Sequence, residues 1–558
     1  LCGFHFIWSR EGSINERKAF EAALESRYRG PDHQAFEMAS SNTGDSYFFL
    51  ANRLAIIGSF SARQPLRSED GRYLFALNGE IYNYHSLGHQ LGLNSFDTDS
   101  EVAFKWLIEH SYKGLQQFEG LFSLLLLDLK SNTWFAAKDR FSSRPLYYSP
   151  YQGGAIVSST VDFILKYRDQ KPQISPVGLR QYYRFHFTAS PHTLWKEVLS
   201  LGTGEMLRSP LTVQSWEEPN QEPNLGSTNL PINVLLNNAI RKQRYTPSAL
   251  LLSGGIDSGL LLRSFEETES VLPHLYHVNT GNNDEWEKAS YLAKKLKVPL
   301  HQIHVKDQST PDTFERFLSS IDYPIGDSGF FLTWLVCKVM DPTIKVVYSG
   351  AGADELTAGY RRHLYYYWVS KLPQTLKPLI TMLGLWKEGG NLSPNTWDFR
   401  DLLARSSVPA ELNAFANALE TDFKNYLSHD VLMMTDQAAM LQGKEIRLPF
   451  LDEAFVNALM PLSLEQKLSN GRKGILKEAW KKAYPDIPVL GRKVGFGIAK
   501  GDFLESCLGE SYGQWATQHQ ALFEDIEKSA GIGPYRIYRK TLHQWAMVIL
   551  AGYLKRYL

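Results

Sequence analysis

The decapeptide Ala249-Leu-Leu-Leu-Ser-Gly-Gly-Ile-Asp-Ser258 constrains this chain more than any other stretch. Four apolar residues run into a serine and two glycines, and a helical pattern, Ser258–Glu267, follows directly. Such a strand–turn–helix places backbone N–H groups and a helix N-terminus where they can cradle an anion. Ser253 and Ser258 add hydroxyl donors, and Asp257 is suited to holding a magnesium ion between phosphates. The Gly-Lys-Ser/Thr ending of a Walker A loop is missing. The surrounding pattern extends the constraint. A helix over Pro231–Lys242 precedes the strand Ala249–Leu252. The strand Leu275–Asn279, the helix Trp286–Leu296 and the strand Leu300–His304 follow, and a further strand, Lys345–Tyr348, ends in a second Gly-rich turn. Alternation of this kind predicts an α/β unit with a parallel sheet covered on both faces and a ligand at the carboxyl edge of its strands. The remainder, to Leu558, reads mostly as helix.

The first two hundred residues have a different texture. Tyr47–Leu50, Arg53–Ile57, Tyr73–Leu77 and Phe122–Leu127 read as strands between turn residues, with helical spacing at Asn15–Arg27 and Ser100–Glu109. They predict two packed sheets with a few helices. The polar, twice-proline stretch Ser215–Asn229 is the best linker. At 558 residues the chain has room for about three folding units. The 43% hydrophobic content excludes a disordered chain, and 59 basic against 59 acidic residues argue against a nucleic-acid-binding face. Cys2, Cys337 and Cys507 are too few and scattered for a disulfide framework or a four-ligand zinc site, which predicts a reducing, cytoplasmic setting. The most apolar run, Leu121–Leu129, is less than half of the roughly twenty residues a membrane span needs, and no secretory signal is visible.

Ser253–Ser258 resembles the pyrophosphate loop of the ATP-pyrophosphatase superfamily, and four further segments narrow the likeness. Ser349-Gly-Ala-Gly-Ala-Asp-Glu-Leu-Thr-Ala-Gly-Tyr360, Glu445-Ile-Arg-Leu-Pro-Phe-Leu-Asp452, Lys473-Gly-Ile-Leu-Lys-Glu478 and Arg492-Lys-Val-Gly-Phe-Gly-Ile498 are similar, in family order, to asparagine synthetase motifs. The resemblance implies that Leu252 and Val278 line an adenine site and that Ser253, Gly254, Gly255 and Ser258 bind phosphate. It also implies that Ser349 and Gly350 contact the nucleotide, that Asp257 and Asp354 hold Mg2+, and that Lys473 stabilises charge developing on the phosphates during adenylation.

Cys2-Gly3 resembles the start of class II glutamine amidotransferases, which belong to the N-terminal-nucleophile (Ntn) hydrolases and use the cysteine's own α-amine as base. Arg29-Gly-Pro-Asp32, Arg53–Ile57, Asn78-Gly-Glu-Ile-Tyr-Asn83, Thr98–Glu101 and Asp139…Tyr147 follow in the pattern's order. By this resemblance Arg53 takes the glutamine α-carboxylate, Asp99 the α-ammonium, and Glu80 lies beside them. The Asn78 side chain and the Gly79 N–H form the oxyanion hole. Asn78-Gly79 alone would read as a hairpin turn. Leu1 precedes Cys2 and would block the amine. The simplest expectation is that it stands where an initiator Met belongs and that the mature chain begins at Cys2.

The two resemblances together predict an αββα sandwich over residues 1–210, a linker over 211–229, and an α/β synthetase domain with a helical C-terminal part over 230–558. The implied activity is amidotransfer: Cys2 releases ammonia from L-glutamine, and the second domain uses ATP to adenylate a carboxylate and amidate it. A homodimer is compatible with this reading. The acceptor side departs from the family pattern. Ala351 stands where the family has Glu, Thr357 and Ala358 replace Phe and Gly, and Gln437 replaces a basic residue after Asp436. These changes favour an acceptor that is aspartate or another acid. Ala351, Asp322, Asp327, Asp354 and Glu355 are candidates near it, though either Asp322 or Asp327 also suits a cap. Two alternatives remain. A cyclase offshoot using a different amine, like lasso-peptide cyclases or β-lactam synthetases, would often carry a degraded glutamine site. A non-catalytic nucleotide-binding homologue would bind ATP without releasing pyrophosphate.

Overall fold

A computed structural model describes residues 2–10, 12–41, 44–217, 230–269, 271–280, 283–371, 418–487, 501–529, 531 and 541–558. Leu1, most of the expected linker and the Arg492–Ile498 motif lie outside the described residues.

The N-terminal strands are β1 (Cys2–Ser9), β2 (His33–Ser40), β3 (Ser46–Arg53), β4 (Leu66–Arg67), β5 (Tyr73–Ile81), β6 (Gly120–Asp128), β7 (Thr133–Lys138), β8 (Tyr147–Tyr151), β9 (Gly154–Ser158), β10 (Leu199–Ser200), β11 (Glu205–Arg208) and β12 (Thr212–Ser215). They form two antiparallel sheets, ordered β10-β8-β9-β1-β3-β2 and β12-β11-β7-β6-β5-β4. The period of two along each strand explains how the sheets stack. Phe4, Phe6 and Trp8 of β1 point inward with Phe49, Leu74, Leu125, Leu127 and Trp134 to make the layer between the sheets. Ile7, Phe48 and Leu50 point outward onto helices carrying Ala19, Ala22 and Phe163. On the far side Phe75, Leu77 and Leu124 pack on Val102, Ala103 and Trp106. Helices thus cover the outer faces of the two antiparallel sheets.

The second unit is built on the parallel sheet β15-β14-β13-β16-β17. Its strands are β13 (Ser248–Leu251), β14 (His274–Asn279), β15 (Leu300–His304), β16 (Val346–Tyr348) and β17 (Glu445–Arg447). Because β13 and β16 are neighbours, the turns that follow them emerge side by side at the carboxyl edge. The described remainder beyond β16, apart from β17, is mainly helical, ending in the buried helix Thr541–Leu554. A single core runs across both units, joining Ile7, Phe163 and Trp195 to Phe330, Val347 and Trp545.

Two expectations need correction. Arg53–Ile57 is not a strand: β3 ends at Arg53, and the chain turns so that the Arg53 guanidinium donates to the Ile57 carbonyl at 2.9 Å. The expected linker begins too early. Thr212–Ser215 pairs with β11, and Trp216 is buried with its indole N–H donating to the Lys138 carbonyl at 2.8 Å. Among the described residues no helix is long and apolar enough to cross a membrane.

Candidate functional site

The antiparallel register brings Cys2 and Arg53 opposite one another on β1 and β3. Beside them a small cavity that opens to solvent is lined by Arg53, Gln64, Gly79, Glu80, Thr98, Asp99 and Ser100. The Arg53 guanidinium is held by the carbonyls of Ile57 (2.9 Å) and Phe60 (3.3 Å). Asp99 opens the helix Asp99–His110, and its carboxylate accepts the N–H groups of Ile81 (3.0 Å) and Ser100 (2.8 Å). Burial raises its pKa, and those N–H donors oppose the rise. Asn78 is buried, and its amide donates to Ser123 Oγ at 3.3 Å. Gly79 has φ 134°, and a Cβ there would lie 2.6 Å from the Phe122 Cα and closer still to the Leu121 carbonyl oxygen. The residue is glycine because β6 passes too close for anything else.

Glu80 and the cavity's remaining carboxylate show how the two units meet. Glu445, from β17 of the second unit, also lines the cavity. Arg447, two residues on, lies 2.5 Å from Glu80 and 2.8 Å from Glu445, and is fully buried. Two carboxylates thus share one guanidinium. Burial drives Glu80 upward, with Arg447 opposing. Burial also opposes ionisation of Glu445, but Arg447 overrides it and holds that carboxyl down. Glu445 and Arg447 belong to the motif Glu445–Asp452, and nothing local in the sequence marks either as part of the site. Their i, i+2 spacing, which on a strand puts both side chains on one face, is the signal that pairs them.

On the nucleotide side, Ser253 and Ser258 clasp the first turn, with Oγ–Oγ at 3.1 Å and the Ser253 N–H donating to Ser258 Oγ at 3.2 Å. Gly254 has φ 77°, and a Cβ would meet the Glu285 carbonyl oxygen at 2.7 Å. Gly255 caps the helix Ile256–Thr268, and its N–H donates to Ser253 Oγ at 3.2 Å. Leu252, just past the end of β13, and Val278, near the end of the neighbouring β14, are both buried. In the second turn the Ser349 N–H donates to the Arg447 carbonyl at 3.1 Å, and Gly350 lets the chain pass against Asp257, where a Cβ would sit 2.9 Å from the Asp257 Cβ. Lys473 Nζ lies between the two turns, 2.7 and 2.6 Å from the Asp257 carboxylate oxygens and 2.7 Å from Asp354. Lys473 has φ 58°, ahead of the helix Gly474–Ala483. A left-handed lysine costs of order 1 kcal/mol, which marks the placement of this side chain as constrained by its surroundings.

The acceptor candidates separate. Asp354 belongs to the lysine cluster. Glu355 is buried, accepts the Tyr360 hydroxyl at 2.5 Å, and is pushed up to about 7 by burial and by Asp354. Ala351 is half-buried, with its N–H on Ser349 Oγ at 3.3 Å. Asp327 is a helix cap, accepting from Gly329 N–H at 2.7 Å. Asp322 turns to the first unit, accepting the N–H groups of Val161 and Asp162 at 3.0 Å each, at the start of the helix Val161–Arg168. The cap reading of both aspartates therefore accounts for their geometry. Gln437 also belongs to the interface: its carbonyl oxygen accepts from Asp322 N–H (2.6 Å) and Tyr323 N–H (3.0 Å). Its neighbour Asp436 receives Arg29 at 2.7 Å and Arg144 at 3.1 Å, all three buried. Ala358 keeps a left-handed backbone (φ 56°) where glycine would be unstrained.

Residues 232–527, more than half of the chain, match the family model described as asparagine synthase. The chain belongs to that family. Residues 1–217 match the glutamine amidotransferase domain, a span that takes in β12 and Trp216. Asparagine synthetase [glutamine-hydrolyzing] 1 of Bacillus subtilis (strain 168) is 23% identical over 91% of this chain and 89% of its own. Asparagine synthetase [glutamine-hydrolyzing] 1 of Arabidopsis thaliana is 25% identical over 87% of this chain and 74% of its own. Among solved structures, the allosteric regulatory enzyme of purine biosynthesis matches at TM-score 0.29 and 15% identity, covering 49% of this chain and 64% of that one. That score is too low to argue from.

Proposed function

We propose that this protein is a glutamine-dependent, ATP-dependent amide-forming ligase of the asparagine synthase family, with the site roles as follows. Cys2 attacks the glutamine side-chain amide, its own α-amine taking the thiol proton when Cys2 heads the chain. Arg53 clamps the α-carboxylate and Asp99 the α-ammonium, while the Asn78 amide and the Gly79 N–H stabilise the tetrahedral oxyanion. Ammonia leaves, and water releases glutamate from the thioester. In the second unit a carboxylate oxygen of the acceptor attacks the α-phosphate of ATP and pyrophosphate leaves. Ammonia then attacks the acyl-adenylate carbon, AMP departs, and an amide remains. Asp257 and Asp354 offer the hard oxygen ligands that Mg2+ prefers, and the glycine at 350 lets the second turn pass close against Asp257. Bound there, magnesium would neutralise the departing pyrophosphate. Lys473 supplies a positive point charge to the same phosphates.

The observation that carries the two-site reading is Arg447. Its side chain pairs with Glu80 in the glutamine cavity, and its carbonyl accepts the Ser349 N–H of the nucleotide turn. One residue thus touches both sites. The acceptor is a carboxylic acid. Aspartate comes first because the relatives are named asparagine synthetases, and Ala351, which lacks the family carboxylate, supports a broader choice.

Pyrophosphate release with glutamine, ATP and magnesium, measured against a panel of acids beginning with aspartate, tests this. Cys2→Ala should abolish glutamine use and spare ammonia use, and Asp257→Ala should abolish pyrophosphate release. Equal loss of both nitrogen sources in Cys2→Ala would refute the two-site model. Exclusive, rapid asparagine formation would reject the broader acceptor range.

A further inference from the structure

We infer that Lys473 is a resident counter-cation for the two carboxylates assigned to magnesium, and that it yields its place only when a nucleotide brings its own phosphates. An ammonium has three N–H donors and no acceptor. Lys473 Nζ makes three short contacts, two to Asp257 and one to Asp354, so its donors are fully committed to the oxygens that would otherwise ligate a divalent cation. The surroundings hold it there. The left-handed backbone at φ 58° aims the side chain back between the turns. Gly359 leaves room along its stem, because a Cβ at that position would lie 2.6 Å from Lys473 Cε and would run into Asp354. The lysine and Asp257 are both buried, so the pair is little screened by solvent.

The consequence is an exchange. A triphosphate offers Lys473 new acceptor oxygens, and the metal it carries takes over the carboxylates. Charge stays balanced, because the ammonium moves onto the phosphates as the divalent ion moves onto Asp257 and Asp354. Metal therefore enters with the nucleotide rather than before it, and after pyrophosphate and metal depart the lysine returns to reset the site. The inference rests on the adenylating role of this unit, but its first test needs no turnover.

Mn2+ serves as the probe, followed by electron paramagnetic resonance or calorimetry on the full chain. Nucleotide-free protein should show no specific Mn2+ uptake, whereas protein saturated with a non-hydrolysable ATP analogue should bind it. Lys473→Met should tighten nucleotide-free Mn2+ binding by about tenfold or more, as removing a like charge from a pair of hard oxygen ligands predicts. Adding Asp354→Asn to that variant should erase the gain. Equal nucleotide-free Mn2+ affinity in wild type and Lys473→Met would overturn the inference. So would tight uptake by the wild type alone, which decides the matter even where the variant does not fold. Binding of the analogue is measured in parallel. A protein that takes no analogue fails the adenylating reading, yet the nucleotide-free comparison still decides the role of Lys473.

Discussion

Replacing Gly79 by alanine tests the glutamine site through a single methyl group. The backbone there has φ 134°, a region that L side chains rarely adopt. The added Cβ would lie 2.6 Å from the Phe122 Cα and would overlap the Leu121 carbonyl oxygen. Carbon pairs rest at about 3.5–4.0 Å, so β5 must move away from β6 by about 1 Å. The group carried by that movement is the Gly79 N–H, one of the two proposed oxyanion donors. A misplacement of about 1 Å at a reacting centre costs roughly 10²-fold, and outright loss of one oxyanion donor costs about 10²–10³-fold. Glutaminase kcat should therefore fall by about two orders of magnitude, with a smaller change in glutamine KM because Arg53 and Asp99 remain. Ammonia-dependent pyrophosphate release should fall far less than glutaminase, since the β13 and β16 turns reach β5 only through the Arg447–Glu80 pair. Glutaminase within about threefold of wild type would refute the assignment of this N–H. Equal loss of both activities would show that the damage is to folding.

Three other outcomes follow from the same geometry. Asp436→Ala leaves Arg29 and Arg144 buried without their carboxylate, a loss of about 3–5 kcal/mol, seen as a lower thermal midpoint and earlier separation of the two units. Glu355 is raised from 4.5 to about 7 by burial, so the folded state binds its proton more tightly than the unfolded chain does. Its stabilising effect is complete below about pH 4.5 and is lost as pH rises through 7. Glu355→Gln should flatten the stability–pH curve across that window. Burial pushes the thiols of Cys337 and Cys507 up to about 12, so in the native protein a thiol reagent should leave both unmodified and label them only on unfolding.

What the sequence disclosed follows from the range of the interactions involved. The first Gly-rich turn was legible because strand, turn and helix are contiguous, and each residue from Ala249 to Ser258 contributes locally. The second turn was placed beside it only by the family resemblance, since nothing local says that β13 and β16 are neighbours. Leu54-Ala-Ile-Ile57 has strand composition but no sheet partner; Leu54 is buried instead against Met440, with Tyr28 and Ile56 packed on the pair. Thr212–Ser215 was hidden for the opposite reason: a polar edge strand needs only the β11 backbone to form. The Arg29–Asp436 pair spans 407 residues and leaves no periodic trace.

The departures from the family pattern lie in different surroundings. Gln437 accepts the N–H groups of Asp322 and Tyr323, and its own amide donates to the Tyr323 carbonyl at 3.0 Å. A basic side chain at that position would meet two N–H donors with no acceptor to offer them. A neutral amide is what this interface requires, and it in turn fixes the loop whose Asp322 caps the helix Val161–Arg168. The change at 437 is therefore explained by how the two units join. Thr357 is likewise satisfied internally, its hydroxyl donating to the Ala353 carbonyl at 2.6 Å. Ala351 is different, because its neighbours do not restore what it lacks. Asp354 is engaged by Lys473 and Glu355 by Tyr360. Of the departures weighed, this one bears most directly on the acceptor. The choice of acid turns on the space and missing charge at a single methyl group beside the nucleotide turn.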